Sequence, residues 1–284
     1  MANIIQYKLD YLEETKRLIQ EAIAAKGVSV SDTDTFRSYA DKIEAIETGG
    51  GGTVNIPDGT KFAYSRFTTV PTEIIPYLEA QTDLSYMFYF CQKLTSIPLF
   101  STSSVDDMSS MFTACTITSV PQLDTSRVTN MYSMFQSCTS IKTVPLFNTS
   151  SVTNMGSMFD RCFSLTSVPQ LDTSKVTNMG SMFYYCEALK TIPLLNVSSV
   201  DNMRTIFGYC NSLTNLGGFT GLKVNLSLSS SSKLTVDSVM NVINYAADMS
   251  SFPQTLTLHH KVFNKLSEEQ IATAGAKGWN IASI

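Results

Sequence analysis

The chain has 284 residues, 43% hydrophobic and only 15% charged, with a formal net charge of −4. That is long and apolar enough to bury a large core, and the weakly acidic balance argues against nucleic acid as the main partner. No apolar run reaches the length that spans a bilayer, and Met1-Ala2-Asn3 leads straight into an amphipathic pattern without a signal-peptide core, so membrane insertion is not expected and synthesis in the cytoplasm is.

Residues 1–48 read as a helical leader. Ile5, Leu9, Leu12, Ile19 and Ile23 follow a coiled-coil-like spacing that Lys16 interrupts, and Gly27 ends the helix. Asp32 or Asp34 can cap a second helix with Phe36, Tyr39, Ala40, Ile43 and Ile46 on one side. Such a hairpin packs on itself, self-associates or docks on another protein. Residues 49–52 are four glycines, a flexible linker that suggests an independent module before it; they lack the Lys-Ser/Thr of a phosphate-binding loop.

Residues 53–224 read as a solenoid. Its opening, 62–71, imitates the end of a repeat without the beginning: Phe67, Val70 and Pro71 match Leu94, Ile97 and Pro98. This is the pattern of an N-terminal cap, since the first turn has no neighbour to cover it. Full copies follow. VTNMYSMFQSCTSIKTVPLFNTSS, VTNMGSMFDRCFSLTSVPQLDTSK and VTNMGSMFYYCEALKTIPLLNVSS start at Val128, Val152 and Val176, 24 residues apart, and the copy at Val105 is one residue shorter, with its gap between Thr116 and Ile117. A period in the twenties marks turns that bury their apolar faces only by stacking. Within a copy, Asn154 is an N-cap candidate, and Met155, Met158, Phe159 and Cys162 recur at three- and four-residue intervals, which predicts about two helical turns. Residues 165–169 then read as a short strand with Leu165 and Val168 inward, and 172–175 as the return bend.

The six cysteines, Cys91, Cys115, Cys138, Cys162, Cys186 and Cys210, share one column. Equivalent side chains in a repeat point in parallel, at about 4.8 Å where strands pair and about 8–10 Å where helices do, which does not suit a disulfide. They are expected to be reduced, buried and inert, filling a gap as small hydrophobes. After the proline, Gln-Leu-Asp alternates with Leu-Phe or Leu-Leu, as though a two-turn unit were duplicated. One edge should therefore carry alternating polar and apolar rungs, Leu99, Gln122, Leu146, Gln170 and Leu194. The pairs Thr95/Ser96, Thr118/Ser119, Lys142/Thr143, Thr166/Ser167, Lys190/Thr191 and Thr214/Asn215 should form the exposed face of a parallel sheet, and these twelve residues are the candidate binding surface.

The pattern M-x-x-M-F-x-x-C-x-x-L-x-x-[VI]-P-x-[LF]-[DN]-T-S-x-V-T-N resembles the bacterial surface-protein repeat of the BspA-like branch of leucine-rich repeats, over roughly residues 67–222. The resemblance implies an α/β solenoid, a right-handed leucine-rich-repeat superhelix with short parallel strands and short helical segments, here preceded by an N-terminal helical hairpin. It implies a binding role and brings no catalytic residues.

Residues 225–284 should close the solenoid as an α/β cap. Thr235 or Asp237 can cap a helix carrying Val239, Met240, Val242, Ile243 and Ala246; residues 256–258 read as a strand, Ser267 with Glu268, Glu269 and Gln270 starts another helix, and 279–281 read as a last strand. This tail resembles the closing segment of repeat proteins in tail regions of phages and prophages of gut bacteria, and the leader is similar to short helical leaders on phage tail proteins.

Candidate chemistry is sparse. His259 and His260 are adjacent, should not point the same way from a strand, and have no Cys or carboxylate cluster nearby, so no metal or other cofactor is expected. Asp124, Asp160, Asp172, Glu187 and Asp201 fall in different columns, which argues against the paired carboxylates of a glycan hydrolase. The expectation is a non-catalytic phage tail component located in the virion. Its leader would attach it to other tail proteins or to sister chains, and its repeat surface would contact a bacterial surface glycan or protein. A bacterial cell-surface adhesin and a structural spacer of the virion are the alternatives.

Overall fold

The computed structural model describes residues 16, 17, 19–21, 23, 56 and 59–284. The described positions between 16 and 23 are helical, with Ile19 and Ile23 buried as the spacing predicts. The rest of the proposed hairpin, and the linker at 49–52, lie outside the described residues.

From Phe62 to Trp279 one core runs without interruption, and every apolar column of the repeat contributes to it. Its centre is a file of phenylalanines. Phe112, Phe135, Phe159, Phe183 and Phe207 stack with ring centroids 5.7 Å apart at each step and planes within 14°. Phe88 and Phe62 extend the file at 5.9 and 6.3 Å.

That spacing decides the local structure. Packed helices lie about 8–10 Å apart, so coils whose stacked rings step by 5.7 Å leave no room for them. The predicted helical turns are absent. Residues 155–162 instead form consecutive tight turns: Met158, Asp160 and Cys162 donate N–H to the carbonyls of Met155, Ser157 and Phe159 three residues back. The intervening Met155, Ser157, Phe159 and Arg161 donate to Asn178, Gly180, Met182 and Tyr184 of the next coil, at 2.7–2.9 Å. An α-helix would instead turn the donors beyond its first turn, such as Phe159 and Arg161, to carbonyls four residues back. To aim alternate amides outward, Ser157 and Arg161 take positive φ (54° and 57°), and the equivalent residues of the other copies do the same. Asn154 still serves the turn, accepting from Gly156 N–H at 3.1 Å.

The cysteine column has more than a filling role. Each thiol donates to the carbonyl of the column phenylalanine one coil back: Cys115 to Phe88, Cys138 to Phe112, Cys162 to Phe135, Cys186 to Phe159 and Cys210 to Phe183, at 3.0–3.1 Å. Ser65 stands beside Cys91 at the start of the file and Ser231 donates to the Cys210 carbonyl at its end. All six cysteines are free and buried. Burial pushes Cys138 and Cys210 up to about 12 and raises Cys162 and Cys186 as well. At these four positions almost no thiolate, the reactive form, therefore exists at pH 8 in the folded chain. Alkylation followed by intact mass should give no adducts natively and six in denaturant without reductant; a mass lower by two protons per bridge, resistant until reduced, would contradict this.

At the N-terminal end, Thr72–Ile74 forms a 3₁₀ turn and Ile75–Glu79 a short helix, α1, that the sequence did not announce. They stand between Pro71 and the first full copy, where the other copies have the return bend, burying Ile74 and Leu78 while Tyr77 donates to the Thr60 carbonyl at 2.9 Å. Regular strands emerge late in the stack. Thr191–Ile192 (β1) pairs in parallel with Asn215–Leu216 (β3), and Leu195–Asn196 (β2) with Phe219–Thr220 (β4). Here glycine replaces the column proline: Gly217 N–H donates to Ile192 at 2.9 Å, and any Cβ on it would lie 2.4 Å from the Leu194 nitrogen.

The C-terminal cap follows the sequence reading closely. Leu226–Leu228 (β5), Gln254–Leu258 (β6) and Trp279–Ser283 (β7) form a parallel sheet in that order. Helix α2, Val236–Tyr245, is capped by the Thr235 side chain, and α4, Glu268–Ala276, begins with a capping box between Ser267 and Gln270. Between β6 and α4 lies the short helix α3, His260–Phe263. It overturns the expectation that the histidines diverge. The strand stops at Leu258, His259 becomes the cap of α3, and the two imidazoles lie 4.3 Å apart.

Candidate functional site

The twelve candidate residues occupy one side of the stack. Thr95, Thr118, Ser119, Lys142, Thr143, Lys190, Thr191 and Asn215 are exposed, and Ser96, Thr166, Ser167 and Thr214 half-buried. Main-chain bonds run between them from coil to coil: Thr95 to Thr68, Thr118 to Thr95, Thr166 to Lys142, Lys190 to Thr166 and Thr214 to Lys190. Only one rung is missing. No bond among the described residues joins Lys142 N–H to Thr118, at the copy that is one residue short.

The threonine hydroxyls are committed in a regular way. Thr95, Thr166 and Thr214 each donate to the carbonyl one coil back, at 3.1, 3.2 and 3.0 Å. Their oxygens therefore face solvent as acceptors, while Lys142 and Lys190 supply the only positive charges among the twelve. The result is a low-charge strip of hydroxyls held in register, with two exposed lysines.

On the adjoining edge, the polar and apolar rungs are mechanically linked. Gln122 and Gln170 donate their side-chain amides to the Leu146 and Leu194 carbonyls, both at 2.6 Å, so each polar rung closes the backbone of the apolar rung beside it. Leu99 and Leu146 are left 67% and 58% exposed, far more than their column neighbours require.

The return bends are equally repetitive. Thr102, Thr125, Thr149 and Thr173 are buried, yet each hydroxyl donates to a carbonyl of the following coil at 2.7–2.9 Å. Asp124 and Asp172 accept the N–H of Ser126 and Ser174 at 3.0 Å, and these bonds hold both carboxyls below the usual range. Asp160 accepts from Gln136 and Arg161, and Asp201 pairs with Lys223. Of the five acidic residues weighed as catalytic candidates, four thus hold turns or pair locally.

Sequence reasoning missed the turn edge opposite the bends. Tyr185 and Tyr209 stack in parallel with centroids 4.1 Å apart, Tyr184 meets both edge-on, and the Arg161 guanidinium lies 6.0 Å from the Tyr185 ring centre. A second group joins Tyr64, Tyr86, Tyr89 and Phe90 near the N-terminal end. These positions vary from copy to copy, so no column signals them, and only stacking brings them together.

Comparison with known proteins matches residues 82–190, 114–221 and 157–264 to the family described as Mycoplasma protein of unknown function, DUF285. No curated protein matches the sequence. Among solved structures, the chain is similar to a leucine-rich repeat protein from Bacteroides ovatus, with 15% identity, 76% of this chain and 83% of that chain covered, and a TM-score of 0.21.

Proposed function

The chain belongs to the DUF285 family of repeat proteins, and from that premise we propose that it is a non-catalytic binding protein working through the strip from Thr95 to Asn215. We assign it to the tail of a phage, with residues 1–48 attaching it to other virion proteins or to sister chains and the stack extending as a right-handed leucine-rich-repeat solenoid. Its partner is a glycan or protein on a bacterial surface. The observation that carries this reading is the strip itself: hydroxyls, amides and two lysines held in near-unbroken register across six coils, over a core sealed beneath them. A long rigid surface with repeated polar groups suits an extended partner better than a small substrate. Four of the five acidic residues weighed above support the same view, being engaged in turns or local pairs rather than paired with one another across a cavity.

Replacing Thr166, Lys190 and Thr191 together by alanine should reduce whole-cell binding at least tenfold and leave the melting temperature within a few degrees, since the exposed Lys190 and Thr191 cost about 0.5 kcal/mol or less each and the half-buried Thr166 loses one hydrogen bond, worth about 0.5–1.5 kcal/mol. Undiminished binding would move the site off this strip. Deleting residues 1–48 should leave a soluble, folded stack that no longer attaches to particles. An unfolded product would instead make the leader part of the stack's own cap.

A further inference from the structure

The ladder that joins coil to coil ends abruptly after the last copy. Met179, Ser181, Phe183 and Tyr185 all donate N–H to the following coil, to Asn202, Arg204, Ile206 and Gly208 at 2.8–3.0 Å. Their counterparts Met203, Thr205, Phe207 and Tyr209 donate to nothing among the described residues. The residues that should receive them, 23 positions on, belong to β5 and the bend after it. Because β5 turns away to pair with β6, a cleft of about 540 Å³ opens between the two. Exposed strand-edge donors in most proteins are covered or paired, and four in a row beside a cavity are a standing demand for acceptors.

The walls say what kind of acceptor. Buried Phe207 and Leu226 contribute apolar surface to the lining, and the rings of Tyr184 and Tyr209 stand on the repeat side. Tyr184 can lie there because Gly208 has no side chain: a Cβ would sit 2.6 Å from the ring. The opposite wall is polar, with Asn225, Ser227, Ser230 and Thr257. Asn225 Oδ1 accepts from Thr255 N–H at 2.7 Å, which orients its amide group and leaves Nδ2 free. Arg204 is the one charged residue along the lining.

We propose that this cleft is a saccharide site for one or two neutral sugar rings, distinct from the strip of the previous section. The volume falls in the range of about 300–1,000 Å³ typical of small-ligand pockets. Sugar hydroxyl oxygens accept from the four free amides, and sugar hydroxyls exchange hydrogen bonds in both directions with the serines, threonine and asparagine opposite. The flat C–H face of a ring packs against tyrosine, whose body is apolar and whose rim is polar. A peptide backbone satisfies the amides equally well but makes little use of a wall of small hydroxyl side chains.

The test uses the full-length chain on an array of immobilised neutral mono- and disaccharides, with unrelated decapeptides printed alongside. The strongest saccharide is then titrated into ¹⁵N-labelled protein. At least one saccharide should be retained, and the largest amide shifts should fall on Met203, Thr205, Phe207 and Tyr209. Tyr209→Ala and Ser230→Trp should each weaken binding tenfold or more, while the Thr166, Lys190 and Thr191 triple variant should bind the sugar as the native chain does. No retained saccharide at millimolar concentration, retention of peptides alone, or shifts confined to other amides would overturn the proposal. Should either variant fail to fold, the shift map of the native protein decides. Loss of sugar binding only in the triple variant would place saccharide recognition on the strip and empty the cleft of this role.

Discussion

Phe159→Ala should lower the unfolding free energy by about 3–5 kcal/mol, the usual cost of emptying a buried phenylalanine site. The ring is fully buried and stacks on Phe135 and Phe183 at 5.7 Å on either side, so the void interrupts two aromatic contacts as well as a column. Collapse is a poor remedy here. The coils on each side are fixed by the main-chain bonds of Phe159 N–H to Met182 and Phe135 N–H to Met158, both at 2.9 Å, and cannot close up without breaking the ladder. Phe163, which is 39% exposed on the same copy, gives the control: its alanine variant should lose about 0.5 kcal/mol or less. Urea titration followed by circular dichroism measures both. Equal losses from the two variants would mean that the file of rings is not what holds the coils together.

The second large effect is expected in the cap. Gly278 follows α4 with φ +76°, and a Cβ there would lie 2.2 Å from both the carbonyl carbon and the oxygen of Met249. Left-handed backbone costs a residue with a side chain about 1–2 kcal/mol, and the clash is with main chain that cannot rotate away. Gly278→Ala should therefore displace β7. Three bonds anchor the strand's approach: Lys277 Nζ donates to the carbonyls of Ile243, Asn244 and Ala246 at the end of α2, at 2.8–3.0 Å. Trp279, the sole tryptophan, is buried just beyond and donates to the Ala247 carbonyl at 3.0 Å. Its fluorescence reports on the cap while circular dichroism reports on the whole chain. In the variant the fluorescence transition should move to lower urea than the dichroism transition, because contacts in a repeat protein are mainly between neighbours. Coincident, unshifted transitions would show that the turn after α4 tolerates a side chain.

The sequence by itself determined what repetition can encode. The 24-residue spacing names the core columns from Val152 to Val168, all buried in the structure, and the alternation after the proline names the linked rungs of Gln122 with Leu146 and Gln170 with Leu194. The caps of α2 and α4 were legible because capping is a local event between residues three apart, as at Thr235 and Ser267. Tertiary structure decided the rest. Met155, Met158, Phe159 and Cys162 satisfy a helical spacing and a run of three tight turns equally well, and what separates the two is the destination of alternate amides. That destination is a carbonyl 23 residues away, as for Met155 and Asn178, and no window along the chain contains it. The same holds for the cysteine thiols, whose acceptors sit one coil back, and for Tyr184 and Tyr209, which share a cleft only because β5 leaves the ladder to pair with β6. Side-chain burial follows from a pattern that each residue carries with it, whereas the partner of a main-chain donor depends on which coil lies beside it and on where the stack stops.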